Sequence, residues 1–246
     1  MHRFFAPAMD PGDEAVDLPR DEAEHLTRVL RLGAGDMVAV FDGRGREWLS
    51  RVVSAARSSV RVQLLSRIDP AAEPAVALTL VQAVLKGDKM DDVVRDAVML
   101  GVAAIQPIVT RRSEVTVAAL MRSARVERWR RVALASVKQS RRAVMPDIRM
   151  PLTLDTLLGD PRPALSLMLV EPAAGAEVES LSVLRAAPTP LEASVAIGPE
   201  GGWVDAEWKA AREQGFRLMT LGQRTLRADA VPVAAISVLQ FLWSDF

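Results

Sequence analysis

Apolar and polar positions alternate in short blocks along the first part of the chain. Met37–Asp42, Glu47–Ala55 and Ser59–Arg67 are rich in β-branched and aromatic residues. That is the pattern of strands with one buried face. Asp42-Gly43-Arg44-Gly45 puts turn formers between the first two. One segment breaks the alternation. From Asp21 to Leu32, Leu26, Val29 and Leu30 fall on one helical face, and Gly33 supplies a stop. Residues 1–72 are therefore expected to form a small β-barrel domain with one helix.

Asp69 to Pro74 reads as a linker, and beyond it the period changes. Strands are expected at Ala77–Val84, Ala103–Val109, Ala164–Val170, Ala193–Ile197 and Arg217–Thr220. Helices are expected at Asp88–Leu100, Ala124–Gln139, Val178–Leu184, Asp205–Gln214 and Val231–Trp243. Alternating strands and helices imply an α/β domain over residues 73–246, with a mostly parallel sheet.

Open α/β sheets bind ligands at the carboxyl ends of their strands. Three loops at such ends stand out. Ile197-Gly-Pro-Glu-Gly-Gly-Trp203 follows an apolar strand, and Gly198, Gly201 and Gly202 would let the backbone approach a ligand. Pro199 stiffens it, and Asp205 is a candidate cap for the next helix. Leu221-Gly-Gln-Arg-Thr-Leu-Arg-Ala-Asp229 follows another strand, and Val170-Glu171-Pro172 ends a third. A glycine-rich structural turn is the plainer reading of the first, and a loop with solvated arginines that of the second. Neither the dinucleotide glycine spacing nor a phosphate-loop lysine is present. Lys86-Gly87-Asp88-Lys89 sits at a further strand-to-helix junction, where Asp88 could simply cap the helix.

Composition narrows the chemistry. The chain has 246 residues, half of them apolar, and no Cys. Disulfides, thiolate metal sites and cysteine nucleophiles are excluded. His2 and His25 are the only histidines, so a multi-histidine metal site or a Ser-His-Asp triad is not expected. No stretch has the length and apolarity of a membrane span, and a cytoplasmic protein is expected.

Net charge is zero, yet Arg111 to Arg149 holds eleven Arg and Lys against three acidic residues. On the helix within it, Arg128, Arg131, Lys138 and Arg142 fall on one stripe, opposite Val126, Trp129, Ala133 and Val137. The stripe is a candidate for binding a phosphate backbone, or else a solvated surface.

The ordered set Arg3-Phe4-Phe5, His25-Leu26, Arg28-Val29-Leu30-Arg31, Lys86-Gly-Asp-Lys-Met90, Leu100-Gly-Val102, Lys138-Gln-Ser140, Gly198-Pro-Glu-Gly-Gly202 and Leu221-Gly-Gln-Arg-Thr-Leu-Arg227 resembles one family nearly end to end. It is that of ribosomal RNA small subunit methyltransferase E. The resemblance implies a SPOUT-class, trefoil-knotted α/β methyltransferase domain behind a PUA-like barrel. It implies S-adenosylmethionine as donor, held on the knot loops, and 16S ribosomal RNA or the small subunit as partner. It also implies a homodimer. The chain departs from the family at Val98 and Met99, where a Thr-Glu pair is common. It departs again at Asp229, where Glu is common.

On that resemblance the donor site is assigned to Val170, Glu171, Ile197, Gly198, Pro199, Glu200, Gly201, Leu221, Gly222, Arg224 and Leu226. The reaction that the resemblance implies is methylation of N3 of a specific uridine. It needs a proton acceptor and no covalent nucleophile. Asp229 is the candidate base and Arg227 its partner at the uracil, with Glu200 second. No metal is expected. A transfer-RNA methyltransferase of the same class, or a non-catalytic assembly factor, are the competing readings.

Overall fold

A computed structural model describes residues 1–172, 175–179 and 181–243. It divides into two compact units. One comprises Met1–Glu73 with Val137–Met145, and the other Pro74–Ser136 with Pro146–Phe246. The linear division at residue 73 did not anticipate the return of Val137–Met145 to the first unit.

The first unit is built on a five-stranded sheet. It consists of β1 (Arg3–Phe5), β2 (Ala15–Asp17), β3 (Met37–Phe41), β4 (Glu47–Ala56) and β5 (Ser59–Ile68), in the order β1-β3-β4-β5-β2. Phe4, Met9, Leu26, Val38, Val40, Val60 and Val62 form its core. The β3–β4 turn closes on the Asp42 carboxylate. It accepts from the Arg44 and Arg46 backbone N–H groups at 2.7 and 3.1 Å and from Arg46 Nε at 2.6 Å.

The expected helix over Asp21–Leu32 is instead a short α1 (Arg20–Glu24) running into a π-helical turn, His25–Val29. Leu30 N–H reaches back five residues to His25 O, and Arg31 stops the helix with a left-handed φ of 56°.

Arg3 explains the returning segment. Its guanidinium pairs with Glu47 and donates to the carbonyls of Val137, Lys138 and Arg142 at 2.9, 3.0 and 2.8 Å. Val137 and Lys138 lie in the last turn of a helix, where backbone carbonyls run out of onward helical donors, and Arg142 lies just beyond it.

The second unit contains β6 (Ala77–Ala83), α2 (Lys89–Met99), β7 (Ala104–Val109), α3 (Val117–Arg122) and α4 (Arg125–Ser140), which runs on into the first unit's segment. There follow β8 (Asp147–Ile148), β9 (Leu152–Thr153), α5 (Leu154–Gly159), β10 (Leu165–Leu169) and α6 (Leu181–Ala186). Then come β11 (Glu192–Ile197), α7 (Asp205–Glu213), β12 (Arg217–Met219) and α8 (Val231–Leu242). The helix expected at Val178–Leu184 begins later, and Ser180 within that span lies outside the described residues.

The strands pair in parallel in the order β12-β10-β11-β6-β7-β8, with β9 also on β7. On one face Val81, Ala83, Met168, Ala196 and Leu218 pack with Leu154 and Leu158 of α5 and with Trp208 and Ala211 of α7. α2 and α8 pack against each other, burying Met90, Val93, Val94, Ile236 and Leu239. Among the described residues no helix is long and apolar enough to cross a membrane.

Candidate functional site

Leu169 of β10, Ile197 of β11 and Gln82 of β6 share one register row near the carboxyl ends of their strands. Beyond that row the second unit has a cleft of about 230 Å³, open to solvent. Three loops line it. The β10 end gives Val170, Glu171 and Pro172, the β11 end gives Gly198 to Glu200 with Gly202 and Trp203, and the β12 end gives Thr220, Leu221 and Arg224 to Asp229. Lys89 at the start of α2 and Val231 at the start of α8 complete it.

The structure thus brings together Val170, Glu171, Ile197, Gly198, Pro199, Glu200, Leu221, Arg224, Leu226, Arg227 and Asp229. Gly201 and Gly222 are not among the lining residues. Gly201 faces away, because a Cβ there would meet Arg112 Cβ and Cδ at 3.2 Å. Gly202 does line the cleft. It has φ +68°, and a Cβ on it would fall inside contact distance of Glu171 Oε1 and 3.1 Å from its Cδ. Gly198 faces the Trp203 ring at 3.2 Å, and Trp203 Nε1 donates to Leu169 O at 2.8 Å, which fixes that ring as a wall.

Charge in the cleft is balanced, with Lys89, Arg224 and Arg227 against Glu171, Glu200 and Asp229. Glu200 Oε1 accepts from Lys89 Nζ at 3.0 Å and Lys86 N–H at 3.1 Å. Burial pushes the Glu200 carboxyl up. Its own backbone N–H, the Lys89 ammonium and the Lys86 N–H outweigh that and hold it below the ordinary value. Both Asp229 oxygens pair with Arg227, each at 3.1 Å. Burial again opposes. The Asp229 backbone N–H, Arg227 and the Lys89 charge bring its pKa below the ordinary value. Both carboxylates are therefore ionised at neutral pH.

Neither of the two side-chain caps considered in the sequence forms. Ahead of α8 the N-cap residue is Ala230, without a side-chain cap, so Asp229 does not cap that helix. Asp88 makes no cap bond and pairs with Arg128 instead. Ahead of α7 the Glu207 carboxylate, not Asp205, receives Val204 N–H at 2.9 Å.

The helix face opposite the basic stripe is buried as expected, at Val126, Trp129, Ala133 and Val137. The stripe itself divides. Arg142 is 4 % exposed and pairs with Glu73, and Lys138 Nζ holds both Glu22 oxygens at 2.8 and 2.7 Å. These two are internal ties of the first unit, not free surface cations, because acidic partners distant in sequence neutralise them. Arg128 is exposed and pairs with Asp88 and Asp91, and Arg131 is exposed. Among the described residues no group of three His, Asp or Glu could hold a metal ion.

Residues 72–240 match the RNA methyltransferase domain family, and residues 18–65 match the RNA methyltransferase PUA domain. The chain is 31 % identical to ribosomal RNA small subunit methyltransferase E of Synechocystis sp., over 94 % of this chain and 74 % of that one. The chain belongs to the ribosomal RNA small subunit methyltransferase E family. The Aquifex aeolicus methyltransferase E is 29 % identical over 97 % of this chain and 99 % of its own. The crystal structure of the Neisseria gonorrhoeae methyltransferase E bound to S-adenosylmethionine superposes with a TM-score of 0.86. It is 30 % identical and covers 99 % of this chain and 98 % of that chain. The first unit accordingly carries the family's PUA domain, and the second its SPOUT-like parallel α/β domain.

Within that family frame, Lys89 and Trp203 are cleft residues the sequence reading did not assign, and Gly202 is one it named in its loop but did not place in the donor-site set. All three lie inside segments it did single out. What it lacked was the direction of each side chain.

Proposed function

We propose that this chain transfers a methyl group from S-adenosylmethionine to N3 of a specific uridine in 16S ribosomal RNA of the small subunit. The cleft carries this reading. Strand-end loops form it at the point where ligands bind such sheets, in a chain of the methyltransferase E family. The cleft fits the donor's chemistry. Val170, Ile197, Leu221 and Leu226 offer apolar surface to a flat ring. Gly202 leaves bare backbone beside Glu171. Carboxylates and cations are both present for a zwitterionic cation.

When bound, S-adenosylmethionine supplies an activated methyl group, so the chain's own residues have to position the uridine and take its proton. Asp229 is the proposed acceptor. The N3–H bond breaks as the N3–methyl bond forms, and the proton passes to the carboxylate and on to water. Arg227 occupies both Asp229 oxygens. It must turn toward a uracil oxygen, where it opposes the negative charge that develops as the proton leaves. A depressed pKa keeps Asp229 in its base form at neutral pH but makes it a weak base. Positioning then carries most of the acceleration. Glu200 is less suited, since Lys86 and Lys89 both hold one of its oxygens.

RNA phosphates are proposed to meet Arg128 and Arg131, the exposed half of the basic stripe. A homodimer is proposed through α8. Val233, Ser237 and Phe241 recur at four-residue spacing on one line, and Phe241 is 68 % exposed. A ribosomal substrate would put the chain in the cytoplasm. Calorimetric titration with S-adenosylmethionine tests the donor site. One site per chain is expected, and absence of binding would leave a non-catalytic RNA-binding factor.

A further inference from the structure

The turn after β7 has no role in the reading above, yet it grips the glycine loop. Thr110 N–H and Oγ1 meet Ser113 Oγ at 3.1 and 3.0 Å, closing a tight turn. Of the two arginines inside it, one reaches Glu207 of α7 and the other the loop itself. Arg111 N–H donates to Glu207 Oε1 at 2.7 Å, and the other Glu207 oxygen holds Val204 N–H at 2.9 Å. Arg112 Nη1 donates to Gly201 O, and its Cβ and Cδ lie 3.2 Å from where a Gly201 Cβ would stand. Arg112 is not among the cleft-lining residues. On the cleft side Glu171 stands where a Gly202 Cβ would go, and the loop is held by the Trp203 bond to Leu169.

From this geometry we infer that Arg112 is a positioning residue of the donor loop, not an RNA contact. Its stem covers the outer side of Gly201 and its guanidinium fixes the Gly201 carbonyl. Together they set the orientation of the 201–202 peptide, and so which way the backbone beside Glu171 faces. Gly201 is glycine on this account because a Cβ there would crowd the Arg112 stem at 3.2 Å, and not because a ligand fills the space. The inference rests on the proposed donor site and deepens it.

A double-mutant cycle with calorimetry tests it. Arg112→Ala should weaken S-adenosylmethionine binding about three- to ten-fold, the effect of one partly exposed charge-assisted bond. Affinity for a small-subunit RNA fragment, and its salt dependence, should stay within two-fold. Gly201→Ala should weaken donor binding comparably in the native background and add little in an Arg112→Gly background, since Arg112→Ala would keep the Cβ that crowds position 201. Arg112→Lys, which restores a donor and most of the stem, should recover part of the loss. Hydrogen exchange should rise at residues 198–204 and not elsewhere. The inference is overturned if Arg112→Ala leaves donor affinity unchanged, or if RNA affinity falls while donor affinity does not. Additive effects of the two substitutions would also overturn it. Failure of the native chain to bind the donor would instead count against the donor site itself.

Discussion

Gly202→Ala separates a ligand-site role from ordinary backbone strain. Its φ of +68° places an added side chain in the left-handed region, at a cost of about 1–2 kcal/mol. For a protein of this size each kcal/mol lowers the melting temperature by about 2–4 °C, so a fall of about 2–8 °C is expected. The new Cβ would also collide with Glu171 Oε1, at the free end of a flexible side chain. Folding therefore survives, but the carboxylate has to swing away from the loop within the cleft. A displacement near 1 Å at a positioned group costs on the order of a hundredfold in rate, and donor affinity should fall at least about ten-fold. Gly215→Ala is the control. Its φ of +87° carries similar strain, but the nearest contact is Arg162 Nη2 at 3.8 Å, after α7 and away from the cleft. Differential scanning calorimetry and donor titration on both variants give the comparison. Equal thermal losses with donor binding lost only in Gly202→Ala are expected. Wild-type donor affinity in a folded, destabilised Gly202→Ala would refute the reasoning.

Asp229→Asn should lower the transfer rate on the order of a hundredfold with folding and donor affinity nearly unchanged, measured by single-turnover kinetics. A wild-type rate would remove Asp229 from the chemistry. Arg142→Gln should destabilise the first unit by about 3 kcal/mol through the stranded Glu73, whereas Arg131→Glu should spare stability and lower the salt slope of RNA binding. Urea titrations and binding isotherms check the pair. Asp42 has a lowered pKa, since its bonds from Arg44 and Arg46 outweigh the opposing effect of burial. Its contribution is thus full above the ordinary Asp range and is lost as pH falls below it. Asp42→Asn should cost about 2 kcal/mol at pH 7, and the deficit should shrink toward pH 3 in urea melts.

Long periodic segments were legible to within a residue or two, as at Ser59–Ile68 and Lys89–Met99, because burial on one face repeats along the chain. β1 and β2 were not, since three residues carry no period. The strand-end loops and most of the cleft residues were legible, because glycine and proline clusters after apolar strands have few other uses. Which glycine faces the cleft was not, since that depends on φ and differs between Gly201 and Gly202. Nor was the fate of Lys138 and Arg142, which depends on Glu22 and Glu73, residues far away in sequence. A charge stripe read along one helix cannot know what another segment brings to it.

The central claim is that this cleft methylates N3 of one uridine in small-subunit ribosomal RNA. The most direct measurement supplies purified protein with methyl-labelled S-adenosylmethionine and with small subunits and transfer RNA from cells lacking it, then maps labelled nucleotides by mass spectrometry. The expected result is N3-methyluridine at a single 16S position, absent with Asp229→Asn. Label confined to transfer RNA, at a ribose or at carbon-5, or no label despite donor binding, would contradict the account.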